Sequence, residues 1–371
     1  MIRLERLSAY LVELPLVHPF RTSFGEEKVR RALLISLEGE GKVGWGECVA
    51  GAGPWYSYET VDTALQVIRD FFLPLLRGKA ISHPTELGEL LSPIRGHPMA
   101  KAALEAALWD LYSRLEGVPL WRALGGVREE VPAGVSIGIQ RDLPALLDRV
   151  ASFVEQGYQR VKLKVKPGWD IQVLEAVRDR FPDLPLSVDA NCAYDLKDAE
   201  HLKAFDRFDL VMIEQPLRYD DLLGHAKLAE VLTTPICLDE SISSPHRAWE
   251  ALELSACRII NVKQGRVGGI SAALEIHGLA QARRVPLWCG GMLETGVGRA
   301  LNVALATLPG FTLPHDISAT SRYYREDIAE PAFRLTPRGT IPVPEGPGLG
   351  VEVVPERILA SQVRALSWRL K

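Results

Sequence analysis

Five charged residues between positions 164 and 263 fall on one interval. Lys164, Asp189, Glu214, Asp239 and Lys263 are separated by 25, 25, 25 and 24 residues. Each closes a short apolar run rich in β-formers, at 161–165, 186–189, 210–214, 236–239 and 259–263. Between the runs lie segments of helical period, such as 171–180 and 198–208. Strands alternating with helical patterns make βαβ units and a parallel sheet. Such a chain can close into a (β/α)8-type barrel. The charged strand ends then gather at one rim, where barrels of this kind carry their chemistry.

Taken singly, each of these charges could be a solvated strand end. Three carboxylates and two lysines aimed at one small ring need a stronger reason. Acidic oxygens with no thiol or imidazole beside them make a hard-cation site, which suits Mg2+, with Mn2+ or Co2+ able to substitute. Asp189, Glu214 and Asp239 are the candidate ligands. A small-molecule carboxylate bound there would have its developing enediolate charge met by a preorganised cation, while a lysine removes the proton on the adjacent carbon. That lysine must be neutral to act, so its pKa must fall to roughly 7–8 through burial and neighbouring positive charge.

Lys162 supplies such a neighbour, because a strand period of two puts it on the same face as Lys164. Lys164 is therefore the expected base and Lys162 its electrostatic helper, with Lys166 a solvated loop residue. Lys263 arrives four strands later, on the opposite side of an eight-stranded ring. The pair could thus serve both faces of one carbon. No HExxH or triad-like grouping competes, and His315 reads as a structural histidine.

The rest of the composition narrows the setting. A net charge of -4 gives no electrostatic case for nucleic acid or an anionic membrane. No apolar run is long enough to span a bilayer, and the first residues do not read as a signal peptide. The five cysteines are dispersed without a CxxC pair, as expected of reduced thiols in a cytoplasmic protein.

Ahead of the barrel, residues 1–50 read as an antiparallel meander (4–14, 32–37, 42–47), followed by helices at 58–76, 85–91 and 98–116. Lys101 and Glu105 read as surface residues of the last helix. The punctuated stretch 18–25, carrying Phe20 and Phe24, reads as an ordinary loop or as a mobile flap that closes over a ligand, and 51–57 is a second candidate cover. Glycine and proline at 117–126 mark a boundary. The expected domains are an α+β capping domain over 1–125, a (β/α) barrel over 126–325, and a C-terminal segment over 326–371 packing back on the cap. Within the barrel, 265–269 reads as a tight βα turn and 311–316 as the last strand.

The order Lys162-x-Lys164, Asp189, Glu214, Asp239, Lys263 resembles the muconate-lactonising subgroup of the enolase superfamily, whose lysine base and Mg2+ are a familiar case. The resemblance covers essentially the whole chain. It is strongest to the o-succinylbenzoate synthases that also act as N-acylamino acid (N-succinylamino acid) racemases. The motifs carrying it are Val161-Lys-Leu-Lys-Val-Lys-Pro-Gly-Trp-Asp170, Gly290-Gly-Met-Leu-Glu-Thr-Gly-Val-Gly298 and Ser318-Ala-Thr-Ser-Arg-Tyr-Tyr-Arg325.

The resemblance implies a modified (β/α)7β barrel and Mg2+ on Asp189, Glu214 and Asp239, oriented by Asn191 and Glu240. It implies Lys164 and Lys263 as the acid/base pair, and Ser136, Gly291, Met292, Phe20 and Phe24 around the substrate. The activity implied is a dehydration of menaquinone biosynthesis, an N-acylamino acid racemisation, or both, in a dimer-based homo-oligomer of up to eight subunits. Muconate cycloisomerase is the alternative. A dipeptide epimerase would carry a second acid at Asp316-Ile-Ser318, and mandelate-type enzymes a histidine within 288–294; neither is present. A binding barrel without catalysis would have no reason to keep all five ladder residues.

Overall fold

The computed structural model describes residues 1–23 and 25–371. Its N-terminal meander is Ile2–Arg21, Glu26–Gly39 and Lys42–Cys48, with Gln362–Arg369 paired antiparallel to the other side of the first strand. The first two strands run further than their apolar pattern suggests. Pairing breaks between Pro15 and Phe20, where prolines offer no amide, and then resumes with Phe20 opposite Glu27 and Arg21 opposite Glu26. Residues 18–21, expected as part of a flap, are therefore the end of a strand in an antiparallel hairpin.

Helix Pro98–Glu116 crosses this sheet at close range. It starts with proline in its first turn and stops at Gly117, whose φ of 69° suits a left-handed end. Gly44 and Gly46 make the close approach possible. A Cβ on either would lie 2.2 or 2.1 Å from the carbonyl oxygen of Ala107 or Ala103. The helix expected over 58–76 starts later, after a Thr60–Thr63 capping box, and passes through a π-turn at Ile68–Phe72. Glu105 is not a surface residue. It is buried and accepts the Ser271 amide at 3.2 Å, in the first turn of barrel helix Ile270–Arg283.

The barrel strands are Gly134–Ile137, Arg160–Lys164, Leu186–Asp189, Ile213–Glu214, Ile236–Leu238, Ile259–Val262 and Leu287–Cys289, parallel and hydrogen-bonded in chain order. Residues 311–316 do not form the expected eighth strand. They touch the two edges through isolated bridges, Phe311 to Leu287 and His315 to Ala133. Pro314, which has no amide to donate, interrupts the ladder between them. The seven parallel strands curl into a half-barrel that this segment joins edge to edge.

The tail touches both parts of the molecule. Thr340–Pro342 pairs with Glu130–Pro132 at the barrel entrance, and helix Pro355–Ser361 leads into the strand on the meander. Among the described residues, no helix is long and apolar enough to cross a membrane.

Candidate active site

Strand register assembles the ladder. Lys164 lies opposite Asp189, and Asp189 opposite Glu214. Cys237 pairs with Glu214, so Asp239 emerges two residues further along the next strand, and Lys263 follows directly on Val262. All of these side chains and Lys162 are buried.

Ammonium groups thread between the carboxylates. Lys164 Nζ lies 2.6 Å from Asp189 Oδ2 and 2.7 Å from Asn191 Oδ1. Lys162 Nζ lies 2.6 Å from Glu214 Oε2 and 3.3 Å from Asp189 Oδ2. Lys263 Nζ lies 2.8 Å from Asp239 Oδ2. Asn191 donates from Nδ2 to Glu240 Oε1 at 2.9 Å, so both residues expected behind the acids stand beside them.

The facing groups set the charge of two of the lysines. Burial works against the ammonium forms of Lys162 and Lys263, but the facing groups prevail and both pKa values are raised. For Lys162 these are Asp316, Glu214 and Asp189; for Lys263 they are Tyr56, Glu214, Glu240 and Asp189. Burial likewise opposes the charge on Asp189, and Lys164 and Lys162 overcome it, holding its pKa low.

The rim opens into a cavity of about 340 Å³ lined by Lys162, Lys164 and Lys263 on one side and by the hairpin and the 51–56 loop on the other. Ser136, Gly291, Met292 and Phe20 all line it. Phe24 lies outside the described residues. Ser136 Oγ is buried and has no hydrogen-bond partner among the described residues. The hairpin tip reaches the rim through Ser23 Oγ, 3.4 Å from the Asn191 carbonyl, and through Arg21, whose carbonyl accepts the Ile139 amide at 3.0 Å. His315 accepts the Cys289 amide at Nδ1, 3.0 Å away, and burial with Arg160 and Arg128 pushes its pKa down to about 3. It is a neutral structural ring, as its sequence context suggests.

Three residues at the site escaped the sequence reading. Tyr56 donates to Asp239 Oδ1 at 3.0 Å, and its hydroxyl is 3.2 Å from Lys263 Nζ. Arg266 is buried and pairs with Asp239. Its only sequence signal is position, since the turn Gln264–Val267 carries it back toward the strand ends. Asn261 donates to Glu214 Oε1 at 2.7 Å. It lies two residues before Lys263, so the same strand period that paired Lys162 with Lys164 could have found it.

Among the described residues, no three His, Cys, Asp or Glu side chains are gathered closely enough to hold an ion. The positive charge that the acids require comes here from the lysines and Arg266. As a donor set, three hard carboxylates on three adjacent strands fit Mg2+, which accepts a few carboxylates and keeps several waters.

Two family profiles divide the chain. The Enolase C-terminal domain-like profile matches residues 145–357, and the mandelate racemase / muconate lactonizing enzyme N-terminal domain profile matches residues 6–125. The chain is 51% identical over 353 residues to the o-succinylbenzoate synthase of Geobacillus kaustophilus, covering 95% of this chain and 94% of that protein. It is 51% identical over 352 residues to the N-succinylamino acid racemase of Thermus thermophilus, covering 95% of each. A crystal structure of an enolase-superfamily member from Listeria innocua superposes with a TM-score of 0.96 at 43% identity, over 100% of both chains.

Proposed function

Because the chain belongs to the enolase superfamily, we propose that it abstracts the proton α to a substrate carboxylate. Its reactions would be those of its relatives: formation of o-succinylbenzoate by dehydration, racemisation of N-succinylamino acids, or both. Members of the superfamily are generally Mg2+-dependent, and Asp189, Glu214 and Asp239 would hold that ion in this chain. When bound, the ion supplies fixed positive charge at the substrate carboxylate. Asn191 and Glu240 would orient the ligands, and the hairpin tip with Phe20 would exclude water.

The observation that carries the reading is the placement of Lys164 and Lys263. They stand on strands four apart in the sheet order, and both line one cavity. Each could exchange a proton with one face of the same carbon, as racemisation requires. A syn elimination needs one residue acting first as base and then as acid, for which Lys164 is the candidate and Lys263 a fixed charge. Lys162, held as a cation, would face the substrate's developing negative charge. Asp316 lines the same cavity, yet its oxygens are taken by Arg160 and Lys162. Among the described residues neither oxygen of Asp316 is left free for a substrate ammonium, which favours N-acyl substrates over dipeptides.

A side-by-side assay with Mg2+ tests the proposal: dehydration of the cyclohexadiene precursor of o-succinylbenzoate against racemisation of N-succinyl and N-acetyl amino acids. Absence of both activities would refute it. Self-association is part of the reading. The exposed Tyr219, Leu223, Trp249 and Leu254, on and beside two consecutive barrel helices, support it, and light scattering tests it.

A further inference from the structure

Asp316 ends the segment that joins the barrel edges, and it sits between two cations. Arg160 donates from Nη2 to one of its oxygens. Lys162 Nζ lies 2.6 Å from the other. Arg160 and Lys162 are two residues apart on one strand, so they share a face. One ring serves both, since Trp288 lies 4.5 Å below the Arg160 guanidinium and 4.7 Å below the Lys162 ammonium. Space for this arrangement depends on Gly134, where a Cβ would stand 2.7 Å from Arg160 Nη2. All four side chains of the cluster are buried, and only Lys162 and Asp316 reach the cavity.

We infer that Asp316 is a positioning residue: anchored by Arg160, it holds the Lys162 ammonium at the wall of the substrate cavity. The inference deepens the function proposed above. Lysine ends in a compact charge on a flexible four-carbon stem, and fixing it needs acceptors on more than one side. Glu214 provides one at 2.6 Å, from the middle of the acidic ladder. Asp316 provides the second, from the segment across the first strand. Arg160, being planar and fully buried, cannot follow a moving lysine, so it fixes the carboxylate instead. The Lys162 charge therefore meets the substrate carboxylate already oriented, and Asp316 acts only through it.

A double-mutant cycle tests this with Asp316→Asn, Lys162→Met and the pair together. The readout is calorimetric affinity for N-succinyl-2-methylalanine, which has no α-proton to lose, in the presence of Mg2+. Asp316→Asn should weaken binding on the order of tenfold in the otherwise native protein and by less than about twofold in the Lys162→Met background. Should Asp316→Asn fail to fold, Asp316→Glu carries the same test, because its longer arm displaces the ammonium while keeping the charge. Equal losses in both backgrounds, or none in either, overturn the inference. Failure of the native protein to bind the analogue would instead count against the function proposed above. The pair is then read from denaturant midpoints of the same four proteins, where additive shifts overturn the positioning role and non-additive shifts support it.

Discussion

Glu47, from the third strand of the meander, closes on Thr295 at the start of a barrel helix. Its Oε2 accepts the threonine hydroxyl at 2.6 Å, the Thr295 amide at 3.1 Å and the Gly298 amide at 3.0 Å. The fully buried acid thus caps helix Gly296–Ala306 from the other side of the molecule. Burial and the nearby Glu294 push its pKa up to about 7, against the pull of those donors.

The pH dependence of stability follows from that shift. A folded value near 7 against an ordinary 4.5 means that the native state holds the proton more tightly. Glu47 should therefore lower stability as pH rises from about 4.5 to about 7, by at most about 3 kcal/mol. Denaturant melts across this range should show the fall, and Glu47→Gln should flatten it. A wild-type profile that rises through this window, with Glu47→Gln following it, would contradict the argument.

Removing any one of the three acids should abolish Mg2+ binding. Asp189→Asn, Glu214→Gln and Asp239→Asn each delete a charged oxygen while leaving the shape. Calorimetry should register no Mg2+ uptake, and both reactions should fall by about a thousandfold or more. Circular dichroism should stay native, with stability lowered by about 3–5 kcal/mol because a buried lysine loses its partner. Near-normal turnover at limiting Mg2+ in any variant would show that residue not to be a ligand.

The two lysines should separate by face. In deuterated water, Lys164→Ala and Lys263→Ala should each exchange the α-proton of one N-succinylamino acid enantiomer, a different one for each variant, and neither should racemise. Lys263→Arg should keep some dehydration because the charge survives, and Lys164→Arg none. Racemisation by either alanine variant would contradict the two-base arrangement.

Tyr56 should matter to one face only. Its hydroxyl touches Asp239 and Lys263 and has no hydrogen bond to Lys164 among the described residues. Tyr56→Phe should slow exchange on the face that Lys263 serves by about tenfold, the loss of one buried charge-assisted hydrogen bond, and leave the other face within about twofold. Equal slowing of both faces would place its influence at Asp239 instead.

The ladder was legible because it depends on local pattern alone. Each of its residues ends an apolar run, and strand period with parallel topology carries them to one rim. Lys162 was found on its strand by the same argument, but not its pairing with Asp316 across the barrel seam. Glu47 and Glu105 carry no sign of their burial in sequence, and Asp316 shows only as the end of the expected last strand. Their partners Thr295, Ser271 and Arg160 lie far along the chain, and no periodicity connects them. Tyr56 was hidden inside a loop read as a cover, and Arg266 inside a turn read as glycine-driven. The hairpin was misjudged in the other direction: prolines at 15 and 19 signal a loop, yet they only interrupt a strand that pairs again beyond them.

The pairing of the first strand with the last has a consequence for how the chain acquires its shape. The side chains of Arg6 and Ser367 meet although 361 residues separate them. During synthesis, the barrel strands and their helices emerge and can pair with near neighbours, while the first strand of the meander must wait for residues made after the barrel before its outer edge is covered. Contacts of such long span form slowly, because the loop they close is large. The meander is thus born with an unpaired edge, and the strand that covers it arrives only after the barrel has been made.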